Sequence, residues 1–597
     1  MTLSTRGSDP LTRLTGPDAL ATLAEAELPE LARRIRERLV ETVTGVGGHL
    51  GACLGTVELT IALHRVFRSP TDALVFDTGH QSYTHKLLTG RADSFDSLRR
   101  AGGMAGYPSR AESAHDWVEN SHASVSLAWA DGIAKGFELR GEHDRRVVAV
   151  IGDGALTGGV AWEGMNNIGA ARRPVVVVLN DNGRSYDPTA GALADHLRAL
   201  REGAPGAGNL FDAMGFDYVG PVDGHDIGAL CTALHTAATA GRPVVVHAIT
   251  CKGRGFAPAE ADEADRMHSC GVIDPETGAP RKPPTVSWTD LVETELAAIA
   301  DDQPEVVALT AAMRLPTGLG EFSRRAPDRV FDSGIAEQHL LASAAGLAAA
   351  GMHPVVAVYS TFLNRAIDQV LLDVALHELP VTLVLDRAGV TGPDGPSHHG
   401  MWDLALLTCV PGMRIACPRD PQRVRELLRE AVATPGPTAM RYPKATAGED
   451  VPNIARMDGM DILHRGPHSP LDVLLVAVGP MATPCLQAAR ILSDNGFGAT
   501  VVDPRWVWPI NPGLVSIAAR HRLTVCVEDG IAGNGIGAHL TRTVASDGAA
   551  TQVRALGLPT EFIAHAPRDR ILADCGLTGE GIAAACLEWL PATERIR

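Results

Sequence analysis

The sequence predicts an α/β protein of three doubly wound, mostly parallel sheets arranged in series. Three observations lead there. Short Val/Ile-rich runs are apolar throughout instead of alternating, the pattern of parallel strands covered on both faces. Ala/Leu-rich stretches of helical length lie between the runs, residues 337–350 among them. Two irregular Gly/Pro-rich stretches, 277–284 (TGAPRKPP) and 444–470, divide the 597 residues into segments 1–284, 285–455 and 456–597.

In the first segment the apolar runs are 147–151, 175–179 and 243–249. The second has 306–310, 354–360 and 381–385, and the third has 473–478, 500–503 and 524–528. Residues 147–182, VVAVIGDGALTGGVAWEGMNNIGAARRPVVVVLNDN, form a complete strand–helix–strand unit of about the length a parallel crossover needs. No short-period repeat or low-complexity tract interrupts the pattern.

Hydrophobic residues at 45% and charged residues at 21% are ordinary for a globular chain, and the 4% aromatic content predicts an aliphatic interior. Only five basic residues are lysines: Lys86, Lys135, Lys252, Lys282 and Lys444. The formal net charge of -17 argues against broad nucleic-acid binding and against attachment to an anionic membrane, while leaving room for one basic pocket. The ten cysteines include no C-x-x-C pair, so neither a zinc site nor a redox dithiol is indicated. Most lie in apolar runs as small core residues of a reduced protein. No signal-peptide core opens the chain and no apolar run is long enough to span a bilayer, so a cytoplasmic location is expected.

Gly152, Asp153 and Gly154 end one apolar run; Asn180, Asp181 and Asn182 end the next. Both clusters should lie at the carboxyl edge of a sheet, where open α/β sheets bind ligands. Asp153 offers a carboxylate oxygen and Asn182 an amide oxygen, and the glycines admit a phosphate close to backbone. Oxygen ligands completed by phosphate suit Mg2+ better than zinc. Taken alone, GDG also describes a tight strand-to-helix turn and NDN a loop cap.

GDG followed some thirty residues later by N-x-N resembles the Mg2+–diphosphate motif of thiamine-diphosphate enzymes. That resemblance implies Mg2+ on Asp153, Asn182 and the carbonyl of Arg184, with Gly154 and Ala155 at the diphosphate. More narrowly, GGHLGACLGTVELTIALH (47–64), FDTGHQSYTHKLLTGR (76–91), GYPSRAESAHD (106–116), KGRGFAPAEAD (252–262), FDSGIAEQH (331–339), LDRAGVTGPDGPSHHG (385–400) and GPTAMRYPK (436–444) are similar to segments of 1-deoxy-D-xylulose-5-phosphate synthases. The likeness covers nearly the whole chain and implies a transketolase-like fold. It implies condensation of pyruvate with D-glyceraldehyde 3-phosphate, with loss of CO2, by a homodimer that uses thiamine diphosphate and Mg2+.

Roles carried over by the resemblance start with Glu337 of GIAEQH, the carboxylate that hydrogen-bonds the cofactor pyrimidine; in isolation it reads as a first-turn glutamate stabilised by a helix N-terminus. His49 and His268 would act near the reacting carbon and His398 matches an active-site position in the second segment, since histidine is tuned most easily near pH 7. His80, Ser121, His122, Ala123 and Phe256 would line the cofactor. Arg387 and Arg441 would fork the acceptor phosphate, with Tyr359 and Asp394 around the sugar hydroxyls and Arg365 nearby. GNGIG (533–537) lacks the G-x-G-x-x-G spacing and reads as a tight turn, not a dinucleotide fingerprint. The chain departs from the family between His196 and Phe211, where several tens of residues are missing, and in Cys53 and His399. GHQSYTHK and DRAGVTGPDG speak against an ordinary transketolase. Retention of Glu337, Asp153, Asn182, His49 and both phosphate arginines, Arg387 and Arg441, speaks against a cofactor-binding paralogue without catalysis; a changed acceptor stays open.

Overall fold

The computed structural model describes residues 11, 14–203, 208–466 and 470–590. The chain forms two units, Met1–Pro284 with Ser333–Ala336, and Thr285–Asp332 with Glu337–Arg597.

In the first unit, β1 (Ala73–Phe76), β2 (Val147–Gly152), β3 (Val175–Asp181), β4 (Asp217–Asp223) and β5 (Val244–Ile249) form one parallel sheet in the order β1-β2-β3-β5-β4. The pleat sends alternate residues of β2 and β3 to opposite faces. Val147, Ala149 and Ile151 pack with Leu127 and Phe137 of helix Ser126–Leu139 and with Met165 of helix Gly159–Ala171. Val148 and Val150 pack with Leu63 of helix Val57–Val66 and with Leu230 and Leu234 of helix Ile227–Thr239. Both faces are therefore covered, which is why these strands are apolar at every position. Register Gly152↔Asn180 brings the ends of β2 and β3 level, so Asp153 and Asn182 emerge from one edge.

The second unit carries β6 (Val306–Thr310), β7 (Val330–Asp332), β8 (His353–Tyr359), β9 (Thr382–Asp386), β10 (Arg414–Ala416) and β11 (Thr438–Arg441). They are followed by β12 (Ala455–Met457), β13 (Met460–Arg465), β14 (Val473–Ala477), β15 (Ala499–Asp503), β16 (Trp506–Trp508), β17 (Leu523–Ile531) and β18 (Gln552–Leu558). A seven-stranded sheet runs β16-β10-β11-β9-β8-β6-β7 and a six-stranded one β12-β13-β15-β14-β17-β18. Apart from β16 in the first, and β12 and β13 in the second, the pairings are parallel. The α/β class, and sheets in which parallel pairing dominates, are as the sequence predicts.

Two features differ from the sequence reading. The stretch 444–470, read as irregular, contains the hairpin β12–β13. Met457 pairs with Met460 across a two-residue turn in which Asp458 and Gly459 both have left-handed φ, 50° and 80°. That is the conformation Asp-Gly favours, because its twist matches the strands it joins. In addition, β16 belongs by sequence to the third segment yet pairs antiparallel with β10 of the second. One apolar cluster accordingly joins Leu309, Val356 and Leu383 to Leu474, Val502 and Cys526. No helix among the described residues is long and apolar enough to cross a membrane.

Candidate active site

At the carboxyl edge of the first sheet the two predicted oxygen donors converge. Asp153 is buried; its Oδ1 accepts from the Asn182 backbone N–H at 3.4 Å and its Oδ2 accepts from the Thr189 hydroxyl. Burial pushes its carboxyl up to about 7, and the neighbouring Asp181 carboxylate pushes the same way. A buried carboxylate held up by a second one is relieved by a bound cation, so the donor set fits a hard metal ion. Asn182 Oδ1 accepts from the Arg184 N–H at 3.3 Å, closing a tight loop whose Arg184 side chain donates to the Tyr186 and Ala264 carbonyls. A Cβ on Gly154 would stand 2.8 Å from the Ser185 Cβ, so the backbone here can approach that loop only as glycine. Asp181, the middle residue of NDN, faces elsewhere: it accepts from Arg201 at 2.5 Å and contacts His247 Nε2 at 2.8 Å.

Beside this loop the structure gathers His49, His80 and His268. His80 and His268 stack at 5.0 Å between centroids, His49 meets both edge-on at 5.7 Å, and Tyr186 lies 4.0 Å from His268. His49 is presented by Gly47-Gly48; Gly48 has φ 142°, and a Cβ there would come 2.8 Å from Tyr83 Oη. Burial, with Lys252 acting in the same sense, lowers His80 to about 3 and His268 well below its ordinary value, so both rings are neutral. Among the described residues His80 Nδ1 is buried with no hydrogen-bond partner, an atom left for a ligand to satisfy. Ser121 and Ala123 are buried and His122 half-buried, in a loop whose exit is fixed by Asp77, which accepts from Ser124 N (2.7 Å) and Ser126 N (2.9 Å). Ala155 is buried, its carbonyl taken by the Ser124 hydroxyl at 2.6 Å. Phe256 is buried at the start of helix Ala257–Ala261. An orphaned imidazole nitrogen, a glycine cradle and a carboxylate–amide oxygen pair together fit a metal-bound diphosphate cofactor.

Lys252 was not singled out by sequence reasoning. Its Nζ is buried, donates to the Ser185 carbonyl at 2.5 Å and lies 2.9 Å from His268 Nδ1. Burial draws it down to about 7, against the pull of Asp265. A signal was present: lysine is rare in this arginine-rich chain, and Lys252 opens KGRG.

In the second unit, Glu337 is 4% exposed at the start of helix Glu337–Ala349. Burial raises its carboxyl, and Arg365, 3.8 Å away, pulls it back. The Arg387 guanidinium lies 3.8 Å over the Tyr359 ring; Tyr359 stacks on Phe362 at 5.6 Å, and Phe362 meets His398 at 5.7 Å. Asp394 accepts from Lys444 Nζ at 2.8 Å. Buried Asp386, raised to about 6, feels both Arg387 and Lys444, so these two cations border one region. His399 is fully buried next to this group, with Nδ1 accepting from the Thr391 N–H at 3.0 Å and the Asp394 carboxylate close enough to act on it.

Arg441 does not join them. It is 1% exposed; its Nε donates to Asp403 at 2.6 Å and its Nη1 to Asp529 at 2.7 Å, while Asp529 also accepts from Arg568 at 3.1 Å. Two guanidinium groups face two carboxylates, leaving no spare positive charge for a phosphate. Arg441 thus sits in a buried ion-pair cluster, with its Nη2 buried and unpartnered among the described residues, while Lys444 and Arg387 both lie near Asp386. GNGIG has a structural occupant too: Glu528, fully buried, accepts from the Ile536 and Gly537 N–H groups at 2.9 and 2.8 Å and fills the helix N-terminus where a phosphate would bind.

The N-terminal model of 1-deoxy-D-xylulose-5-phosphate synthase matches residues 11–206 and 203–250. The transketolase pyrimidine-binding domain matches 284–449 and the transketolase C-terminal domain 467–582. A 1-deoxy-D-xylulose-5-phosphate synthase of Mycobacteroides abscessus is 52% identical over 98% of this chain and 97% of its own, and one of Rhodococcus jostii is 52% identical over 98% and 96%. The chain belongs to the 1-deoxy-D-xylulose-5-phosphate synthase family. A solved transketolase from Campylobacter jejuni shares 17% identity over 95% of this chain and 100% of its own, at a TM-score of 0.44. The family model matches in two parts that meet at 203–206, and the Mycobacteroides alignment runs to 624 positions against the 597 residues of this chain. Residues 204–207 lie outside the described ones; helix Gly191–Arg201, just before them, is tied back by Arg201 to Asp181.

Proposed function

We infer that this chain condenses pyruvate with D-glyceraldehyde 3-phosphate, releasing CO2 and forming 1-deoxy-D-xylulose 5-phosphate. The reading rests foremost on 52% identity to synthases of that name across nearly the full length of both chains. Thiamine diphosphate, when bound, supplies the electron sink that makes loss of CO2 feasible. Asp153 Oδ, Asn182 Oδ1 and the Arg184 carbonyl hold Mg2+, and Gly154 and Ala155 offer backbone to the diphosphate. Ser121, His122, Ala123 and Phe256 line the cofactor, and His80 Nδ1 finds its partner there. Glu337, buried and raised, shares a hydrogen bond with the pyrimidine ring, and Arg365 steadies its carboxylate. His49 and His268 move protons to and from the substrate oxygens.

On the acceptor side, Arg387, held flat by Tyr359, pairs its donors with the phosphate, and Lys444 adds a second charge. Asp394 accepts from a sugar hydroxyl and holds Lys444; His398 stands at the same hydroxyls. The working form is a homodimer in the cytoplasm, a state that sedimentation equilibrium tests against the 62.8 kDa chain mass. The deciding assay is CO2 release from pyruvate with and without D-glyceraldehyde 3-phosphate. Release that ignores the aldehyde, with no five-carbon phosphate formed, refutes the reading.

A further inference from the structure

We propose that Arg568 is a positioning residue for acceptor capture: from the C-terminal segment it holds the loop 388–400, which carries Asp394 and His398 and has Arg387 at its neck, in working shape. The loop closes on itself where the Gly389 N–H donates to the Gly400 carbonyl at 3.1 Å. Between those residues it forms neither helix nor strand, so its shape is set by what it rests on. It rests on residues 563–568. Arg568 Nη1 donates to the Val390 carbonyl, and Nη2 donates to Asp529 Oδ2 at 3.1 Å. Asp529 Oδ1 accepts from Arg441 Nη1 at 2.7 Å, so the carboxylate that aims Arg568 is itself held. Two glycines show how close the seat is. Gly389 has φ 72°, and a Cβ there would stand 2.5 Å from Asp529 Oδ2; Gly392 has φ 107°, and a Cβ would stand 3.2 Å from Arg568 N. Arg387 has left-handed φ too, 62°, a conformation that persists in a residue with a side chain only where its surroundings impose it. His399 adds a second tie: Nδ1 accepts from the Thr391 N–H at 3.0 Å, and the backbone of Ile563 and Ala564 is close enough to act on its ring. Asp394 and His398 lie between the tied residues 391 and 399, so a displaced Arg568 is felt at both.

The inference rests on the reading of Arg387, Asp394 and His398 as groups that meet the aldehyde, and the test separates the two. Arg568→Met removes the donors while leaving Asp529 paired with Arg441. Gly392→Ala keeps the arginine and pushes the loop off its seat. Both enzymes are loaded with thiamine diphosphate and Mg2+. By hydrogen exchange and mass spectrometry, peptides covering 388–400 should exchange about tenfold or more faster in each variant. In steady-state kinetics KM should rise about tenfold or more for D-glyceraldehyde 3-phosphate and for unphosphorylated glyceraldehyde alike. The kcat and the KM for pyruvate should stay within about twofold of wild type. Arg568→Lys, which keeps a charged donor, should recover part of both changes. Unchanged exchange at 388–400 in Arg568→Met overturns the proposal, and so does a fall in kcat with every KM preserved, the mark of a merely structural role. A loss confined to the phosphorylated aldehyde also overturns it, because Arg568 would then be a ligand of the phosphate. Should Arg568→Met fail to fold, Gly392→Ala decides alone by the same readings. Wild-type kinetics on D-glyceraldehyde 3-phosphate in Arg387→Met would instead sink the underlying reading of the loop, whatever Arg568 does.

Discussion

Replacing Arg441 by methionine tests whether that guanidinium belongs to the fold or to the substrate. The substitution leaves Asp403 buried with no cation among the described residues, while Asp529 keeps Arg568. Removing one partner from a buried pair costs about 3–5 kcal/mol. Asp403 is already raised by burial, so it can take up a proton, and the lower end, about 3 kcal/mol, is expected. At roughly 2–4 °C per kcal/mol the melting midpoint should fall by about 6–12 °C. Adding Asp403→Asn should return part of that loss, because the two positions act as a unit. Scanning calorimetry supplies the midpoints, and steady-state kinetics on glyceraldehyde with and without its phosphate supply the selectivity. Any loss of kcat/KM in Arg441→Met should be proportional on both aldehydes. Lys444→Met should melt near wild type yet lose about 30-fold or more on the phosphorylated aldehyde alone. A normal midpoint in Arg441→Met, with a loss confined to the phosphorylated substrate, would refute the structural reading and restore Arg441 to the phosphate.

Other expectations follow from the same geometry. Asp153→Ala and Asn182→Ala should weaken cofactor and Mg2+ binding together in titration calorimetry; unchanged affinity in either would remove that residue from the metal site. Glu337→Ala should retain partial cofactor affinity and slow deuterium exchange at the thiazolium carbon, and exchange at the wild-type rate would count decisively against its role. Glu58 is held down to about 2, despite burial, by His225 and Arg36; its stabilisation is present above 4.5 and is lost as pH falls towards 2. Urea midpoints measured across that window should slope in wild type and flatten in Glu58→Gln; parallel slopes would mean that other carboxylates dominate.

Much of this molecule was legible because its chemistry is local. Continuous apolar runs betray strands covered on both faces, and a loop such as GDG carries its own backbone requirement. The Asp458-Gly459 turn was legible too, but the prolines and glycines around it read as loop. Arg441 was not: its partners lie 38 and 88 residues away, and nothing in RYPK distinguishes a phosphate fork from a core ion pair. Lys252 likewise gains its meaning only when the chain brings His268 and Ser185 to its ammonium.

The strand Trp506–Trp508 carries a consequence for exchanging parts between relatives. A hybrid joined at residue 455 would inherit one parent's Ile415 and Ala416 and the other parent's Trp506 and Trp508, which form a single ladder. A chain stopped at 455 would instead expose the open side of Arg414–Ala416, an invitation to pair with a neighbouring molecule. Evolutionary shuffling of the last segment is thereby constrained: the two tryptophans must travel with a matching acceptor edge, so the unit of inheritance is larger than the unit of sequence.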